Sequence, residues 1–183
     1  MAEQQKSKKK LVNKFFEVKA PLTSSKISLY GSSAESFQGK VVRIDLTRVL
    51  RGKNAELLLK LNVHGEDIEG EPISLNVFGS YIRRMMRGGI DYVEDSFDAE
   101  CKDAFLTIKP FIITRKKVPR SLRNALRVEA QNYLKSICVP RTSLELFGDL
   151  MSNKIQKDLS LKLKKLYPLA FCEIRAFQIK RKK

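Results

Sequence analysis

Tryptophan is absent from these 183 residues, histidine occurs once, as His64, and cysteine three times. Chemistry that depends on an imidazole base therefore has one candidate. His64 stands next to Gly65 where a strand gives way to a turn, a setting that suits a surface or satisfied role better than proton transfer. Cys101, Cys138 and Cys172 are odd in number and widely spaced, which fits neither a disulfide framework nor the close pairs of a zinc site. They read as reduced, buried small hydrophobes. No P-loop, dinucleotide glycine pattern or zinc-enzyme signature occurs, so no cofactor or metal is expected and the chain is not read as an enzyme. No apolar run approaches the ~18 residues that span a bilayer, and the lysine-rich start has no apolar signal segment. A cytosolic or nuclear protein without a membrane partner is expected, and no internal repeat is present.

Acids are also scarce: 20 Asp and Glu face 36 Lys and Arg, a formal net charge of +16. The imbalance is laid out in blocks. Residues 66–103 hold ten acids and four bases, whereas residues 1–65 carry +8 and residues 104–183 carry +14. Such asymmetry suits a body that lies against a polyanion on some faces and meets water or a protein on another. With 43% hydrophobic residues, the chain can bury one core, with or without a helical appendage, but hardly two independent domains.

The polar opening, with Lys6, Lys8, Lys9, Lys10 and Lys14, cannot fold alone, so residues 1–14 are expected to be a disordered tail that orders on RNA. After Pro21, alternation predicts strands over Ile27 to Tyr30, Val41 to Leu46, Leu57 to Val63 and Ile73 to Phe78, separated by turns at Gly31, Gly39, Gly52 and Gly70. Ser80 to Arg87 predicts a short helix stopped by Gly88 and Gly89. Strands follow over Ile90 to Phe97 and Ala104 to Ile113, the second placed at an edge or bulge by Pro110. From Pro119 the period is helical. Leu122, Leu126, Ala130, Tyr133, Leu134 and Ile137 share one face of a helix that Ser121 could cap and Pro140 ends. A second helix is expected from Ser143 to Met151. Residues 155–166 fit strand alternation and helical spacing alike, and helix is preferred. Phe171 to Ile179 returns as a strand. The expected fold is α+β: a small mixed β-barrel over residues 15–118, packed helices and a returning strand over residues 119–183 in the same globular unit, and basic N- and C-terminal extensions.

Phosphate binding is better supplied than catalysis. Arg83, Arg84 and Arg87 fall on the short helix, Arg115, Lys116 and Lys117 precede the long one, and Arg120, Arg123 and Arg127 recur along its exposed side. Each cluster alone could be a solvated helix face; together with lysine-rich ends they favour RNA. Lys19, Lys40, Arg43 and Lys157, and the terminal Lys180, Arg181, Lys182 and Lys183, complete the candidate RNA-binding set. Glu94, Asp95, Asp98, Glu100 and Asp103 could bind Mg²⁺, but on a strand and turn they suit a solvated face or a basic neighbour better. Phe15, Phe78, Phe105, Phe111, Phe171 and Phe177 mostly take core-like positions, so shape and backbone recognition of folded RNA is expected over base stacking. Phe15 and Phe16, directly after the basic tail, are expected to anchor that tail.

Several segments, read in order, resemble a small-subunit ribosomal protein family shared by archaea and eukaryotes, called S-three-Ae or e-S-one. Phe15-Phe16-Glu17-Val18-Lys19-Ala20-Pro21 resembles the family's aromatic-x-x-Val-Lys-Ala-Pro opening. Gln38-Gly39-Lys40-Val41 followed by Ile44-Asp45-Leu46 is similar to its Gly-Lys/Arg-Val strand, and Ile68-Glu69-Gly70 with Phe78-Gly79 to its next turn and strand end. Lys102-Asp103-Ala104-Phe105-Leu106 stands where the family has Asp-Gly-Tyr, with Ala104 replacing the glycine. Ile155-Gln156-Lys157-Asp158-Leu159 and Leu166-Tyr167-Pro168-Leu169 resemble Ile-Gly-Lys-Asp-Ile and Ile-Tyr-Pro-Leu. The resemblance covers most of residues 15–183 but not the long C-terminal extension of many eukaryotic members, which implies a compact version from an archaeon or a reduced eukaryote.

The resemblance implies a structural constituent of the small ribosomal subunit that binds ribosomal RNA on the platform near the messenger exit and supports translation. Its implied partners are that RNA, neighbouring small-subunit proteins, initiation factors and exiting messenger. The implied location is the cytoplasmic ribosome, with nucleolar assembly in a eukaryote. The acidic middle is expected to face away from RNA, toward a basic neighbour or an initiation factor. The alternatives are a free RNA-binding regulator outside the ribosome and an Mg²⁺-dependent enzyme of RNA metabolism.

Overall fold

The computed structural model describes residues 13–23, 27–50, 52–65 and 67–182. The tail lysines Lys6, Lys8, Lys9 and Lys10, and the terminal Lys183, lie outside the described residues. In chain order the elements are β1 (Lys14–Lys19), β2 (Ile27–Gly31), a 3₁₀ turn (Ala34–Phe37), β3 (Val41–Asp45), β4 (Ala55–His64) and β5 (Asp67–Val77). Then come α1 (Gly79–Met85), β6 (Tyr92–Glu94), β7 (Phe97–Glu100), β8 (Ala104–Thr114), α2 (Arg120–Cys138), α3 (Ser143–Met151), α4 (Lys154–Leu163) and β9 (Leu169–Lys182). The class is α+β. Followed by hydrogen bonds, the nine strands form one mixed sheet in the order β2-β1-β5-β9-β8-β6, with β4 on β5, β3 on β4 and β7 on β8. The ladder does not return on itself, so closure into a barrel is not confirmed. Alternation fixes which residues face the core, whereas closure depends on strand tilt and shear, which alternation does not encode.

The chain divides into two compact units, residues 1–42 with 60–71, and residues 43–59 with 72–183. In the first, β1 pairs antiparallel with β2, Phe16 opposite Leu29, and parallel with the start of β5. Its core is Val18, Ala34, Phe37, Leu61 and Ile68, with Phe16, Ile27, Leu29, Val42 and Val63 packed around it. Gly31 gives the Phe37 ring its room, because a Cβ at that position would stand 2.5 Å from the ring tip and force it to shift. Sequence reading put the basic tail through Lys14, which is the first residue of β1. It also placed a turn at Gly70; the turn is at Gly65, whose φ of 66° suits glycine, and Gly70 lies inside β5.

In the second unit β8 is the central strand, flanked by β9 on one side and by β6 and β7 on the other. Pro110 has no amide hydrogen to donate, and the register shifts between Lys109 and Pro110, so the proline sits at a bulge and not at an edge. The strand expected over Ile90 to Phe97 is broken between β6 and β7, where Ser96 N donates to Asp95 Oδ1 at 2.9 Å. Three helices cover the sheet with apolar faces at helical spacing: Leu126, Ala130 and Leu134 on α2, Leu146, Phe147 and Leu150 on α3, and Ile155, Leu159 and Leu163 on α4. Phe147 meets the Phe177 ring of β9 edge-on, with centroids 5.0 Å apart. The residue before α2 is Pro119, which has no side-chain acceptor, so Ser121 is not its cap. α3 is closed by a capping box between Thr142 and Glu145. The C-terminal residues read as a basic extension are the end of β9, paired to β8 as far as Lys182 opposite Ala104.

Candidate nucleic-acid interface

The densest basic region of the second unit starts at the end of β8. There Thr114 N donates to Asp91 O at 2.9 Å, the Thr114 hydroxyl donates to Lys116 O at 2.7 Å, and Val118 N donates to Asp91 Oδ2 at 2.9 Å. These bonds hold the short segment Arg115-Lys116-Lys117 at the surface with all three side chains exposed. α2 begins directly after it, without a side-chain cap or an acid in its first turn. Arg120 and Arg123 therefore add positive charge to a terminus that is already positive by its own dipole, which costs helix stability and favours an anion, while Arg127 stands exposed two turns further along. Arg123 is half-buried, and its Nε has no hydrogen-bond partner.

α1 contributes unequally. Arg84 donates to Asn54 Oδ1 at 3.1 Å and lies over the Tyr81 ring, 5.5 Å from its centroid, so part of its bonding capacity is used within the chain. Arg83 and Arg87 are exposed. α1 ends at Met85, so Arg87 lies beyond it and not on the helix as expected; Arg87 and Arg115, which follows β8, line the same cavity of about 420 Å³ with Met85, Ile90, Ala170 and Phe171. The structure thus joins two clusters that the sequence separates by 28 positions.

The acidic block answers bases of the same chain. Arg175 of β9 pairs with Glu94, and Lys180 pairs with Asp98 at 2.6 Å. Hydrogen bonds from Lys180 and then from the Thr107 hydroxyl hold the Asp98 carboxyl below its ordinary range. Asp95 accepts from Gln131 of α2 at 2.6 Å, and Asp103 accepts from Ser143 N and Oγ at 2.8 and 2.6 Å. Burial pushes Asp103 up, but the bonds from Ser143 and the Cys101 thiol outweigh it and leave its pKa lowered. Among the described residues no three His, Cys, Asp or Glu side chains come together as a metal site. At the end of β9, Arg181 lies over Phe105, 5.2 Å from its centroid.

In the first unit Lys19 is bound to Asp67 at 2.8 Å, which raises the lysine pKa and lowers the carboxyl. Lys40 stands over Phe37 at 5.2 Å, and Lys14 is exposed at the start of β1. Arg43, in the second unit, faces Glu56 at 3.5 Å. Strand alternation sends Phe16 inward and Phe15 outward. Phe15, 74% exposed, rests against the 61% exposed Tyr30 at 5.0 Å. Reading the Lys14–Lys19 run as a strand would have found this aromatic pair.

Lys157 lies on α4 and lines a second cavity, of about 520 Å³, with Lys53, Asn153, Gln156, Lys164 and Glu173 among its walls. Lys53 and Glu173 form a buried ion pair at 2.7 Å. Sequence reasoning missed this cluster, because Lys53 and Glu173 are 120 positions apart and each alone resembles a solvated charge. All three thiols are free; Cys101 and Cys138 are buried as expected, whereas Cys172 is half-buried, and desolvation pushes Cys138 and Cys172 up to about 12. His64 is exposed at the end of β4. Among the described residues no helix is long and apolar enough to cross a membrane.

The chain matches the model of the Ribosomal S3Ae family over residues 2–183. It is 25% identical over 173 residues to the small ribosomal subunit protein eS1 of Nanoarchaeum equitans, covering 90% of this chain and 87% of that one. The eS1 of Methanothermobacter thermautotrophicus is 27% identical over 139 residues, 72% of this chain and 71% of its own. That of Desulfurococcus amylolyticus is 25% identical over 172 residues, 89% and 80% of the two chains.

Proposed function

The chain belongs to the ribosomal S3Ae family, and from that premise we propose that it is a structural constituent of the small ribosomal subunit. The family is one of ribosomal structural proteins and not of enzymes. The match over nearly the whole chain carries the proposal. The role is positional: cations on a rigid sheet and its helices neutralise crowded ribosomal RNA phosphates and fix their geometry. Arg87 with Arg115, and the uncapped start of α2 with Arg120, are the groups best supplied for this. The proposed seat is the platform near the messenger exit, beside neighbouring small-subunit proteins and within reach of initiation factors and exiting messenger. The cytoplasmic ribosome is the working location, with nucleolar assembly in a eukaryotic source.

Sucrose-gradient sedimentation of the native protein tests the reading. Exclusive migration with small subunits is expected, whereas a discrete RNA-bound form outside any large particle would favour the free regulator. Replacing Arg83, Arg84 and Arg87 by Glu is expected to impair incorporation into subunits. Normal incorporation of that variant would remove α1 from the interface.

A further inference from the structure

β1 turns two unlike faces. Phe16 and Val18 go into the core of the first unit, while Phe15, Glu17 and Lys19 alternate onto its outer face. Phe15 and Tyr30, directly opposite each other on β1 and β2, hold their ring centroids 5.0 Å apart with most of both rings in water. Two adjacent exposed rings are more than the single scattered apolar side chain that every surface carries. The strand that bears Tyr30 is also unguarded. β2 ends the order of the sheet and, among the described residues, pairs with β1 alone, so its other edge is open to a further strand. Proteins usually blunt such an edge with a charge, a proline or a bulge. Ile27-Ser28-Leu29-Tyr30-Gly31 has neither charge nor proline, and its register against β1 runs without a shift.

The charges beside the rings choose the occupant. Glu17 follows Phe15 by two residues on the same face, about 7 Å along the strand. Lys19 is bound to Asp67 at 2.8 Å, and Glu69 stands opposite Lys19 in the β1–β5 pairing. Neither Glu17 nor Glu69 makes an ion pair with a described residue. Phe15 and Glu17 also wall a cavity of about 890 Å³, whose other charged lining among the described residues is Lys14, Lys19, Glu35 and Asp67. Two cations there face three acids, in a chain whose net charge is +16. A phosphate would meet two unpaired carboxylates, and the β2 strand of a second copy would bring no cation to them. An arginine or lysine suits both features at once, because its cation lies on the face of an aromatic ring and bonds the carboxylate beside it.

We propose that the open edge of β2 takes up an extended basic segment of a neighbouring protein as an added strand, with an arginine or lysine of that segment lying over Tyr30 and Phe15 and pairing with Glu17. The added strand would run two strand spacings, about 10 Å, from β1, a span that a long side chain is needed to cross. Main-chain bonds to β2 supply affinity that is indifferent to sequence, and the ring pair with Glu17 selects for the cation. The chain would thus meet RNA with its arginine clusters and a basic protein with this edge. That the neighbour is a small-subunit protein rests on the ribosomal reading above.

Photocross-linking within small subunits tests it. The full chain carries p-benzoylphenylalanine in place of Tyr30, the sedimented subunits are irradiated, and the products are identified by mass spectrometry. The expected product joins this position to one segment of another subunit protein, with an arginine or lysine within two residues of the joined site. Glu17→Lys, which alters an exposed side chain, is expected to weaken that cross-link about tenfold per chain incorporated, the share of one charge-assisted bond. Changing the partner's cation to glutamate is expected to restore the cross-link in the Glu17→Lys background. A cross-link to ribosomal RNA, to residues 1–12 of the same chain or to a second copy would overturn the proposal and leave the ribosomal role standing. So would the lack of any cross-link in subunits that contain the chain, or one that Glu17→Lys leaves undiminished. Failure of the unaltered chain to sediment with small subunits would instead sink the ribosomal reading, and the identification of the neighbour with it.

Discussion

Replacing Glu173 by Leu leaves the Lys53 ammonium buried with Asn153 as its remaining polar neighbour. In the native protein the two charged groups are 2.7 Å apart, with side chains 6% and 9% exposed. At an effective dielectric constant near 20 their attraction is about 6 kcal/mol. Moving both ions out of water costs several kcal/mol each, so the pair as a whole adds little net stability. Its removal by halves is another matter, because the remaining charge keeps its desolvation cost and loses its partner. Glu173→Leu and Lys53→Met should therefore each cost about 3 to 5 kcal/mol, while the double variant should lie within about 1 kcal/mol of wild type. In urea, with an m-value near 2 kcal/mol/M, each single change lowers the midpoint by roughly 2 M. Unfolding followed by far-UV circular dichroism on all four proteins closes the cycle. Two single losses below about 1 kcal/mol that simply add in the double variant would refute the reasoning, since they would mean that water reaches the ammonium.

Asp103 has a folded pKa below its ordinary 3.8, so its contribution is present above that value and is lost as pH falls through the folded pKa. Asp103→Asn should flatten the urea-midpoint profile between about pH 5 and pH 2, and an unchanged acid limb would count against the Ser143 bonds. Thr142→Ala removes the acceptor for Glu145 N in the capping box of α3 and should cost about 1 kcal/mol in the same urea assay. Phe147→Ala empties a fully buried ring site against Phe177 and should cost about 3 to 5 kcal/mol. With Cys138 and Cys172 pushed up to about 12, native protein near neutral pH should react slowly with iodoacetamide at both thiols and quickly in denaturant. Fast native labelling, read by mass spectrometry, would contradict the raised pKa of both thiols.

What the sequence disclosed and what it withheld divide along the range of the interactions. The helices were legible because their apolar residues recur at local spacing: Ser143 to Met151 is the helix expected, and Ile155, Leu159 and Leu163 resolve the ambiguous segment as α4. β1 was missed since its lysines at either end, Lys14 and Lys19, disguise a strand whose inward residues are Phe16 and Val18. Closure of the sheet was not legible, because it depends on strand angles that no residue pattern states. The candidate clusters on α1 and before α2 were visible as charge. Their meeting through Arg87 and Arg115 was not, nor was the pairing of Lys53 with Glu173, since both depend on which distant strands lie side by side.

The block of acids in the middle of the chain is best understood through these long-range partners. Read in one dimension, residues 66–103 are an acidic face between two basic flanks. In three dimensions Glu94 and Asp98 are taken up by Arg175 and Lys180 of β9, Asp67 by Lys19, and Asp103 by the start of α3. Glu94, Asp98 and Asp67 therefore serve the chain's own basic strands and need no separate basic neighbour, while Asp103 is held by neutral donors. The same pairings subtract Lys19 and Lys180, with Arg43 through Glu56, from the cations freely available to phosphate. The salt slope of RNA binding should accordingly reflect fewer cations than the formal charge of +16 implies. Neutralising Lys180 should hardly change that slope, whereas neutralising Arg115 should lower it by roughly 0.7 to 0.9, the share of a single phosphate.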